Sequence, residues 1–381
     1  MKFFRNSRFA VLMIFAINGA LFGTWASRIP AISNIHNLSP ASLGSLIFLM
    51  GLSAVVAFSI FGRAADRFGA AFVTKLASSI FLPLTLIFIA YANSIWMLIA
   101  AIIFFGGIHG GIDVAMNAWA AEVERKYERP LMSSFHAMWS LGSGIGAGFG
   151  VLLATYSLGV KMHFTISSIV IFLAVLSILT IPFQSEKRQR DKNVPFISIP
   201  RGSLLTVAFI TFFASLGEGA IADWSAIFLI SVLSINDGSA ALGFTIFSIC
   251  MFAMRLMGDR ISFKYGPSKT ARYSGLVALI GSIILLTFES FFPLLIGFGL
   301  IGLGIAVIIP LAFSRAGNDK NISQGTAIAS IATLGYGGML IGPLFIGLIA
   351  QATSIKSSFL IFPILAFLIF ALSKHLSIKS A

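Results

Sequence analysis

The sequence is dominated by repeated apolar windows, each about 18 to 25 residues long, separated by short polar gaps. A helix of this length spans the roughly 30 Å hydrocarbon core of a bilayer. Backbone groups in lipid must be satisfied internally, and the alternation of an outer-membrane strand is absent, so the windows predict transmembrane α-helices. We place twelve of them near 8–29, 41–62, 73–92, 96–121, 135–157, 162–183, 203–230, 239–258, 270–288, 292–314, 323–350 and 357–375.

The composition agrees with a protein that lies in the lipid bilayer. Hydrophobic residues make up 57% of the chain and charged residues 10%, against roughly 25% charged residues in soluble domains. The net charge of +13 does not indicate nucleic-acid binding, because the basic residues lie in the gaps between apolar windows. The first apolar stretch is longer than the core of a signal peptide, so it predicts a retained helix. The single cysteine, Cys250, excludes an internal disulfide.

The basic residues predict the orientation of the helices. With the amino terminus inside, only Arg28, Lys161 and Lys356 of the 26 Lys and Arg residues fall on the outer side. The remainder, Arg255 among them, are assigned to cytoplasmic segments, as the positive-inside rule requires. We therefore predict a multi-pass protein of the bacterial cytoplasmic (inner) membrane with both termini in the cytoplasm.

The longest polar stretch, 184–202, lies near the middle of the chain and predicts a cytoplasmic linker. It separates an N-terminal six-helix bundle, 1–183, from a C-terminal six-helix bundle, 203–381. The predicted fold is an all-α membrane protein with twelve transmembrane helices in two pseudo-symmetric bundles. Duplicated halves are a common build for transporters.

Two short motifs recur in both halves and carry a family resemblance. Trp25 in GTWAS has a counterpart in Trp224 in ADWSA. The stretch GRAADRFG, with Gly62, Asp66, Arg67 and Gly69, resembles the signature loop between helices two and three of the major facilitator superfamily. Its second copy, Gly258-Asp259-Arg260, is at the position where that family repeats the loop. The resemblance implies the two-bundle fold and secondary transport.

More narrowly, the segments TWASRIPAI (24–32), VAMNAWAAEVER (114–125) and EGAIADW (218–224) resemble the MosC/YbjJ-like bacterial branch of that family. The signature loop is followed by Ala70 and Ala71, where basic residues are usual. The frequent arginine of helix four and the Gly-Pro motif of helix five are absent. These differences argue against a typical drug/proton antiporter.

Ionisable residues inside the spans are the candidates for function, because each costs roughly 2.5–3.5 kcal/mol at the centre of a membrane helix. His109, Asp113 and Asn117 are four residues apart on the fourth span and therefore share one helix face. This stripe either binds substrate or a proton, or locks the helix to a neighbour. His136, near the cytoplasmic end of the fifth span, is either a proton relay or a solvated interfacial residue.

Glu218 lies near the centre of the seventh span and is a candidate for binding substrate or a proton. Asp223 lies further toward the periplasm, at a depth similar to that of Arg28 on the first span. Arg28 and Asp223 either pair as a periplasmic gate or remain solvated at the interface. Trp25 and Trp224 either stack on a ligand or anchor their helices at the membrane interface.

The family resemblance implies a cytoplasmic gate around the two signature loops, with the residues Gly62, Asp66, Arg67, Gly69, Asp259 and Arg260. In that family the aspartate ties the two halves together when the inside is closed. A carboxylate at the N-terminus of a neighbouring helix is also favoured by the helix dipole. The alternative is a charge that is solvated in a loop.

The predicted function is secondary active transport of a small polar solute, preferably sugar- or polyol-like, by alternating access with proton coupling. No Walker loop, HExxH or paired-cysteine motif is present, so we expect no enzyme activity, cofactor or metal. The alternatives are a drug or metabolite efflux antiporter and a non-transporting membrane sensor on the same fold. The expected partners are the solute, a coupling ion, preferably a proton, and the bilayer; no nucleic acid is expected, and the chain is expected to be a monomer.

Overall fold

The computed structural model describes residues 6–38, 40–156, 158–187, 199–235, 242–319 and 321–377. Within these ranges the ordered elements are α-helices and short turns of 3₁₀-helix, without strands. The fold class predicted from the apolar windows is therefore confirmed. Of the predicted linker, 188–198 lies outside the described residues, and 184–187 and 199–202 are mostly non-helical.

Fifteen α-helices are described. They are α1 (Ser7–Ala26), α2 (Ile29–Ile35), α3 (Pro40–Phe68), α4 (Ala70–Ala90), α5 (Ile95–Tyr127), α6 (Met132–Thr155), α7 (Val160–Leu179), α8 (Ser203–Leu233), α9 (Leu242–Tyr265), α10 (Pro267–Thr287), α11 (Phe291–Ile305), α12 (Ile308–Gly317), α13 (Gln324–Ala352), α14 (Ile355–Ser358) and α15 (Ile361–Leu372). A 3₁₀ turn, Ser373–Leu376, follows α15.

Eleven helical segments of the described chain are long and apolar enough to cross a membrane. They coincide in position with eleven of the twelve predicted spans. The remaining prediction, 135–157, corresponds to α6, a helix of 24 residues. The predicted tenth span is divided between α11 and α12, with a break at Ala306 and Val307.

Glycines begin the helices that follow the two signature loops. Gly69 has a φ of 96° directly before α4, and Gly266 has a φ of 81° directly before α10. A positive φ is strained for residues with a Cβ atom but not for glycine. The two copies of the loop therefore share the same backbone requirement at equivalent positions, which accords with a duplicated chain.

Contacts between Cα atoms divide the protein into two compact units. Unit 1 comprises Met1–Tyr127, Phe135–Ser198 and Asp319–Ala329. Unit 2 comprises Glu128–Ser134, Ile199–Asn318 and Ser330–Ala381. Each unit therefore includes a short segment from the opposite half of the sequence: 319–329 in unit 1 and 128–134 in unit 2. These two segments are central to the sites described below.

Glycines on one face of α6 allow close packing against α1 within unit 1. A Cβ atom on Gly142 would lie 2.0 Å from the carbonyl oxygen of Ala16, and one on Gly146 would lie 2.1 Å from that of Ala20. The intervening Gly144 and Gly148 have nothing within 4 Å of such an atom. Small residues of this kind let membrane helices approach each other closely.

Candidate functional site

The polar stripe predicted on the fourth span lies on α5, and two of its residues join a buried hydrogen-bonded chain in unit 1. Asn117 donates from Nδ2 to the backbone carbonyl of Asp113 at 2.9 Å and to its Oδ1 at 3.3 Å. Oδ1 of Asn117 is 3.1 Å from Nε2 of His136 on α6. Asn117 is fully buried, Asp113 is 8% exposed and His136 is half-buried. The structure thus brings three predicted site residues together.

His109, the third member of the stripe, lies in an aromatic cluster. Its ring stacks on Phe105 with the centroids 5.7 Å apart and contacts Phe22 at 5.5 Å. Trp25 also packs against Phe105, with the ring centroids 5.7 Å apart, and is 3% exposed. Nε2 of His109 is buried and has no hydrogen-bond partner among the described residues.

Asn18 on α1 connects this cluster to α6. It donates from Nδ2 to the backbone carbonyl of His109 at 3.5 Å and accepts a hydrogen bond from Nε1 of Trp139 at 3.0 Å. The ring of Trp139 also lies 5.7 Å from that of Phe22. Phe22 and Trp139 are half-buried whereas Asn18 is fully buried, so aromatic rings form the accessible part of the cluster and amides lie behind them.

Arg28 forms hydrogen bonds with residues of unit 1. Its Nε donates to Nδ1 of His163 on α7 at 3.0 Å, and its Nη2 donates to the carbonyl oxygen of Leu158 at 3.0 Å. Arg28 is 6% exposed and His163 is fully buried. The predicted partner, Asp223 of unit 2, is an exposed residue of α8, and their pairing stays a prediction.

Glu218 on α8 forms an ion pair with Arg255 on α9 in unit 2. Nη2 of Arg255 lies 3.3 Å from Oε2 and 3.5 Å from Oε1 of Glu218. The side chain of Arg255 is 5% exposed and that of Glu218 is 22% exposed. Trp224, six residues beyond Glu218, is half-buried, and its ring lies 3.2 Å from the position that a Cβ atom on Gly347 would occupy.

Asp66 of the first signature loop binds the N-terminus of α13 within unit 1. It accepts hydrogen bonds from the backbone N–H of Gly325 at 2.9 Å and from the hydroxyls of Ser323 and Thr326 at 2.6 and 2.8 Å. The carboxylate thereby satisfies one of the backbone N–H groups that a helix N-terminus leaves without an acceptor. A Cβ atom on Gly62 would lie 2.9 Å from the carbonyl oxygen of Gly325, so this contact is also close.

The other two residues of the first loop are placed differently. Gly69 lies against Ser185, whose Cβ is 2.9 Å from the position of an added Cβ atom. Arg67 is exposed, and its guanidinium lies 5.1 Å from the ring centroid of Phe68. Gly69 therefore has a backbone role. Asp66 and Gly62 contact the start of α13, whereas the guanidinium of Arg67 lies on Phe68.

Asp259 of the second loop repeats the arrangement in unit 2. Its Oδ1 accepts a hydrogen bond from the backbone N–H of Ser133 at 2.8 Å, and its Oδ2 accepts one from that of Ser134 at 2.8 Å. The hydroxyl of Ser134 also bonds to Oδ2. Ser133 and Ser134 lie in the first turn of α6, so each signature aspartate binds a helix N-terminus. Arg260 is exposed.

The sequence analysis gave no site role to five buried ionisable residues, Glu122, Glu124, His163, Arg255 and Asp319. Arg255 is inside α9 and 4% exposed, and its position within the predicted span 239–258 was the signal. Glu122 was missed because the predicted span ends at 121, whereas α5 continues to Tyr127. His163 lies at the start of α7 and received no role.

Glu122 lines a small polar pocket in unit 1 together with Asp66, Glu186 and Gln324. The pocket has free space for about one water molecule. Glu122 is 7% exposed, and its Oε2 has no hydrogen-bond partner among the described residues. The described part of the chain contains no group of three or more His, Cys, Asp or Glu side chains suited to a metal ion.

One known protein family matches this sequence over most of its length. The sequence model of the Major Facilitator Superfamily matches residues 9–336. The chain belongs to this superfamily. The resemblance seen in the signature loops and in the number of spans is thereby confirmed.

Individual proteins narrow the relationship. The chain is 38% identical over 359 residues to an uncharacterized transporter, y4wD, of Sinorhizobium fredii, with 94% of this chain and 95% of the relative covered. It is 29% identical over 354 residues to the membrane protein MosC of Rhizobium meliloti, covering 92% and 85% of the two chains. The resemblance to the MosC-like branch is therefore also confirmed.

A solved structure supports the fold. The human organic anion transporter MFSD10 matches with a TM-score of 0.80 and 16% sequence identity, covering 97% of this chain and 99% of that one. As a member of this superfamily, the protein described above is a multi-pass membrane transporter and not an enzyme.

Proposed function

We propose that this transporter carries a small polar solute, sugar- or polyol-like in chemistry, by alternating access coupled to proton movement. The observation that carries the proposal is the buried chain of Asp113, Asn117 and His136. A buried amide and carboxylate are costly in a membrane helix unless they are bonded or functional. This chain ends at a half-buried imidazole, which can bond to a solute.

The accessible rings favour a hydroxylated solute. Phe22, His136 and Trp139 are half-buried, and the amides of Asn18 and Asn117 lie directly behind them. Ligand sites commonly combine apolar and aromatic walls with a few fixed polar groups. Sugars and polyols offer both C–H faces for the rings and hydroxyls for the imidazole. His109 is proposed to support the site through its stacking on Phe105 and Phe22.

The coupling residue is proposed to be Glu218. It is a half-buried carboxylate within a membrane helix, and Arg255 provides the counter-charge. A carboxylate of this kind can exchange a proton and can exchange partners. Because the sequence has no Walker loop, the energy is expected to come from an ion gradient or from the gradient of the solute.

The signature aspartates are proposed to form the cytoplasmic gate. Asp66 and Asp259 each hold the N-terminal residues of a helix that is distant in sequence, through three or more hydrogen bonds. Release of these bonds would free the segments 319–329 and 128–134. The periplasmic gate is proposed to involve Arg28 and Asp223.

The ligand roles of Trp25 and Trp224 stay predictions, although the packing of Trp25 against Phe105 supports a structural role. Location in the bacterial inner membrane with both termini in the cytoplasm is also proposed, in keeping with the distribution of Lys and Arg and with the bacterial relatives. We also propose that the protein acts as a monomer.

A ligand screen tests the proposal. Thermal unfolding of the purified protein is measured at pH 5.5 and 7.5 with panels of sugars, polyols and drug-like amines, because a ligand of the native state raises the melting temperature. We expect stabilisation by a hydroxylated solute that is lost in Asn117→Ala and kept in Asn321→Ala, a change in a loop. Stabilisation by the amines alone would instead support drug efflux. Stabilisation without vesicle uptake would support a sensor.

A further inference from the structure

Arg255 is a buried cation outside the signature motif, and the proposed function uses it only as the counter-charge of Glu218. It lies on α9, one helical turn before Asp259, and its side chain is 5% exposed. A guanidinium in a membrane helix requires partners that compensate for its lost hydration. The equivalent position in the first half is Gly62, four residues before Asp66, so only one of the two signature loops carries this charge.

Three hydrogen bonds connect Arg255 to three other parts of unit 2. Its Nη2 donates to Glu218 on α8 at 3.3 Å. Its Nε donates to the carbonyl oxygen of Ala306 at 3.2 Å. Its backbone carbonyl accepts a hydrogen bond from the hydroxyl of Ser133 at 2.8 Å.

The contact with Ala306 lies at the break between α11 and α12. A helix that ends leaves its last carbonyl groups without intrahelical donors, and in a membrane such groups need another partner. Nε of Arg255 supplies one. The guanidinium is therefore shared between a fixed backbone acceptor and the side chain of Glu218, whose charge depends on protonation.

Ser133 joins Arg255 to the gate residue. Its hydroxyl bonds to the carbonyl of Arg255, and its backbone N–H bonds to Oδ1 of Asp259 at 2.8 Å. Both acceptors lie on the same turn of α9. A movement of that turn would therefore weaken both bonds to Ser133 together.

The surroundings of Glu218 leave Arg255 as the charged group that faces it. Among the helices packed against α8, α11 and α15 have no ionisable side chain. On α9, Asp259 is one turn beyond Arg255. On α12, Arg315 donates to Ser203 at the start of α8. Cys250 also lies on α9, and Arg260, Lys264 and Tyr265 near its end are exposed, as is Asp223 on α8 itself. The other titratable side chains of neighbouring elements are Tyr336 on α13, Lys356 on α14, which pairs with Glu289, and Lys374 and His375 of the 3₁₀ turn.

We propose that Arg255 is a positioning residue that couples the charge of Glu218 to the hold of Asp259 on the 128–134 segment. With Glu218 ionised, the guanidinium is held between Glu218 and Ala306, and the turn from Arg255 to Asp259 keeps Ser133 and Ser134 bound. When a proton from the surrounding water adds to a carboxylate oxygen of Glu218, an O–H bond forms, the negative charge is lost and the ion pair with it. The guanidinium then moves to another acceptor and the turn releases the serines. This inference rests on the proposed gate and coupling roles of Asp259 and Glu218.

A single reporter thiol tests the coupling without any transported solute. In a Cys250→Ser background, Leu131→Cys places a thiol two residues before Ser133, where the native side chain is 2% exposed. The alkylation rate with N-ethylmaleimide is measured at pH 7.5 and divided by the rate of the unfolded protein at the same pH. This ratio reports how often the segment opens.

We expect the ratio to be low in the reporter protein and about tenfold higher in Glu218→Gln and Arg255→Gln, which remove the ion pair. Arg255→Lys should recover part of the protection. Lys264→Gln, which removes an exposed cation from the same helix, should behave like the reporter protein. Since Glu218→Gln and Arg255→Lys are conservative, they provide the test if Arg255→Gln does not fold.

Asp259→Asn distinguishes a failure of the coupling through Arg255 from a failure of the proposed gate. If it raises the ratio while both Glu218→Gln and the Arg255 variants keep the behaviour of the reporter protein, Arg255 only packs the helix break and the coupling is refuted, but the gate stands. If Asp259→Asn leaves the thiol protected, the proposed gate is wrong and the coupling is refuted with it.

Discussion

Oδ1 of Asp66 accepts a hydrogen bond from the backbone N–H of Gly325 at 2.9 Å, although the two residues are 259 positions apart. Ser323 and Thr326 donate to the other carboxylate oxygen. The carboxylate is 6% exposed, so these bonds are formed away from solvent. A buried acceptor that serves three donors at a helix N-terminus cannot be replaced by an amide without loss, because an amide has one acceptor oxygen.

Asp66→Asn is therefore expected to destabilise the protein by about 1–3 kcal/mol, the usual cost of leaving buried hydrogen-bonding groups unsatisfied. The measurement is thermal or denaturant unfolding of the purified protein. Glu186→Gln is the control, because this glutamate is 58% exposed in a surface ion pair with Arg125. Equal stability of Asp66→Asn and Glu186→Gln would show that the contact with α13 contributes little.

The glycines of α6 predict opposite effects for neighbouring positions. Gly142→Ala and Gly146→Ala introduce a methyl group about 2 Å from a backbone carbonyl of α1, an overpacking that is expected to cost about 1–3 kcal/mol. Gly144→Ala and Gly148→Ala have open space and are expected to be neutral or to stabilise by up to about 1 kcal/mol. Unfolding of the four variants tests this. The packing of α6 against α1 would be misjudged if all four behaved alike.

The orientation of the chain can be tested with cysteine labelling in intact cells. In a Cys250→Ser background, Ser290→Cys lies in the short connection before α11, and Lys264→Cys lies near the end of α9. The distribution of basic residues places the first outside and the second inside. A membrane-impermeant maleimide should label Ser290→Cys in intact cells and Lys264→Cys only after lysis. The reverse pattern would overturn the predicted topology.

Glu289 and Lys356 predict a pH effect on stability. The hydrogen bond and the charge of Lys356 lower the pKa of Glu289. The pair therefore stabilises the fold above the ordinary glutamate pKa of about 4.3, and this contribution is lost as the pH falls through the lowered value. Both side chains are exposed, so the effect is small and is screened by salt.

The experiment compares the melting temperature of Glu289→Gln with that of the unchanged protein. A small decrease is expected at pH 7 in low salt, and it should vanish at strongly acidic pH and in about 1 M salt. Glu128→Gln, another exposed glutamate, is the control. A difference that persists at acidic pH would mean that the ion pair is not its cause.

The apolar windows predicted the helices because length and hydropathy are local properties. The same holds for Asp113 and Asn117, whose four-residue spacing fixes their common helix face. His136 was found by its type, but its bond to Asn117 depends on the packing of α6 against α5, which spacing within one helix does not determine.

Long-range partners could not be predicted. Asp66 was expected in a gate through the family resemblance, but its donors at 323–326 are set by the tertiary fold. Arg255 received no site role because basic residues near a span end were treated as a group that reports orientation. Its ion pair with Glu218 requires α8 and α9 to be adjacent, which the sequence alone does not state.

The most direct test of proton-coupled transport is the pH change outside proteoliposomes when the solute that most stabilises the protein is added. The account predicts solute entry together with a pH change, which is alkaline for symport and acidic for antiport. Empty liposomes should give neither, and in Glu218→Gln the pH change should be lost. Entry of the solute into vesicles without any pH change would contradict proton coupling, and stabilisation without any entry would contradict transport of that solute.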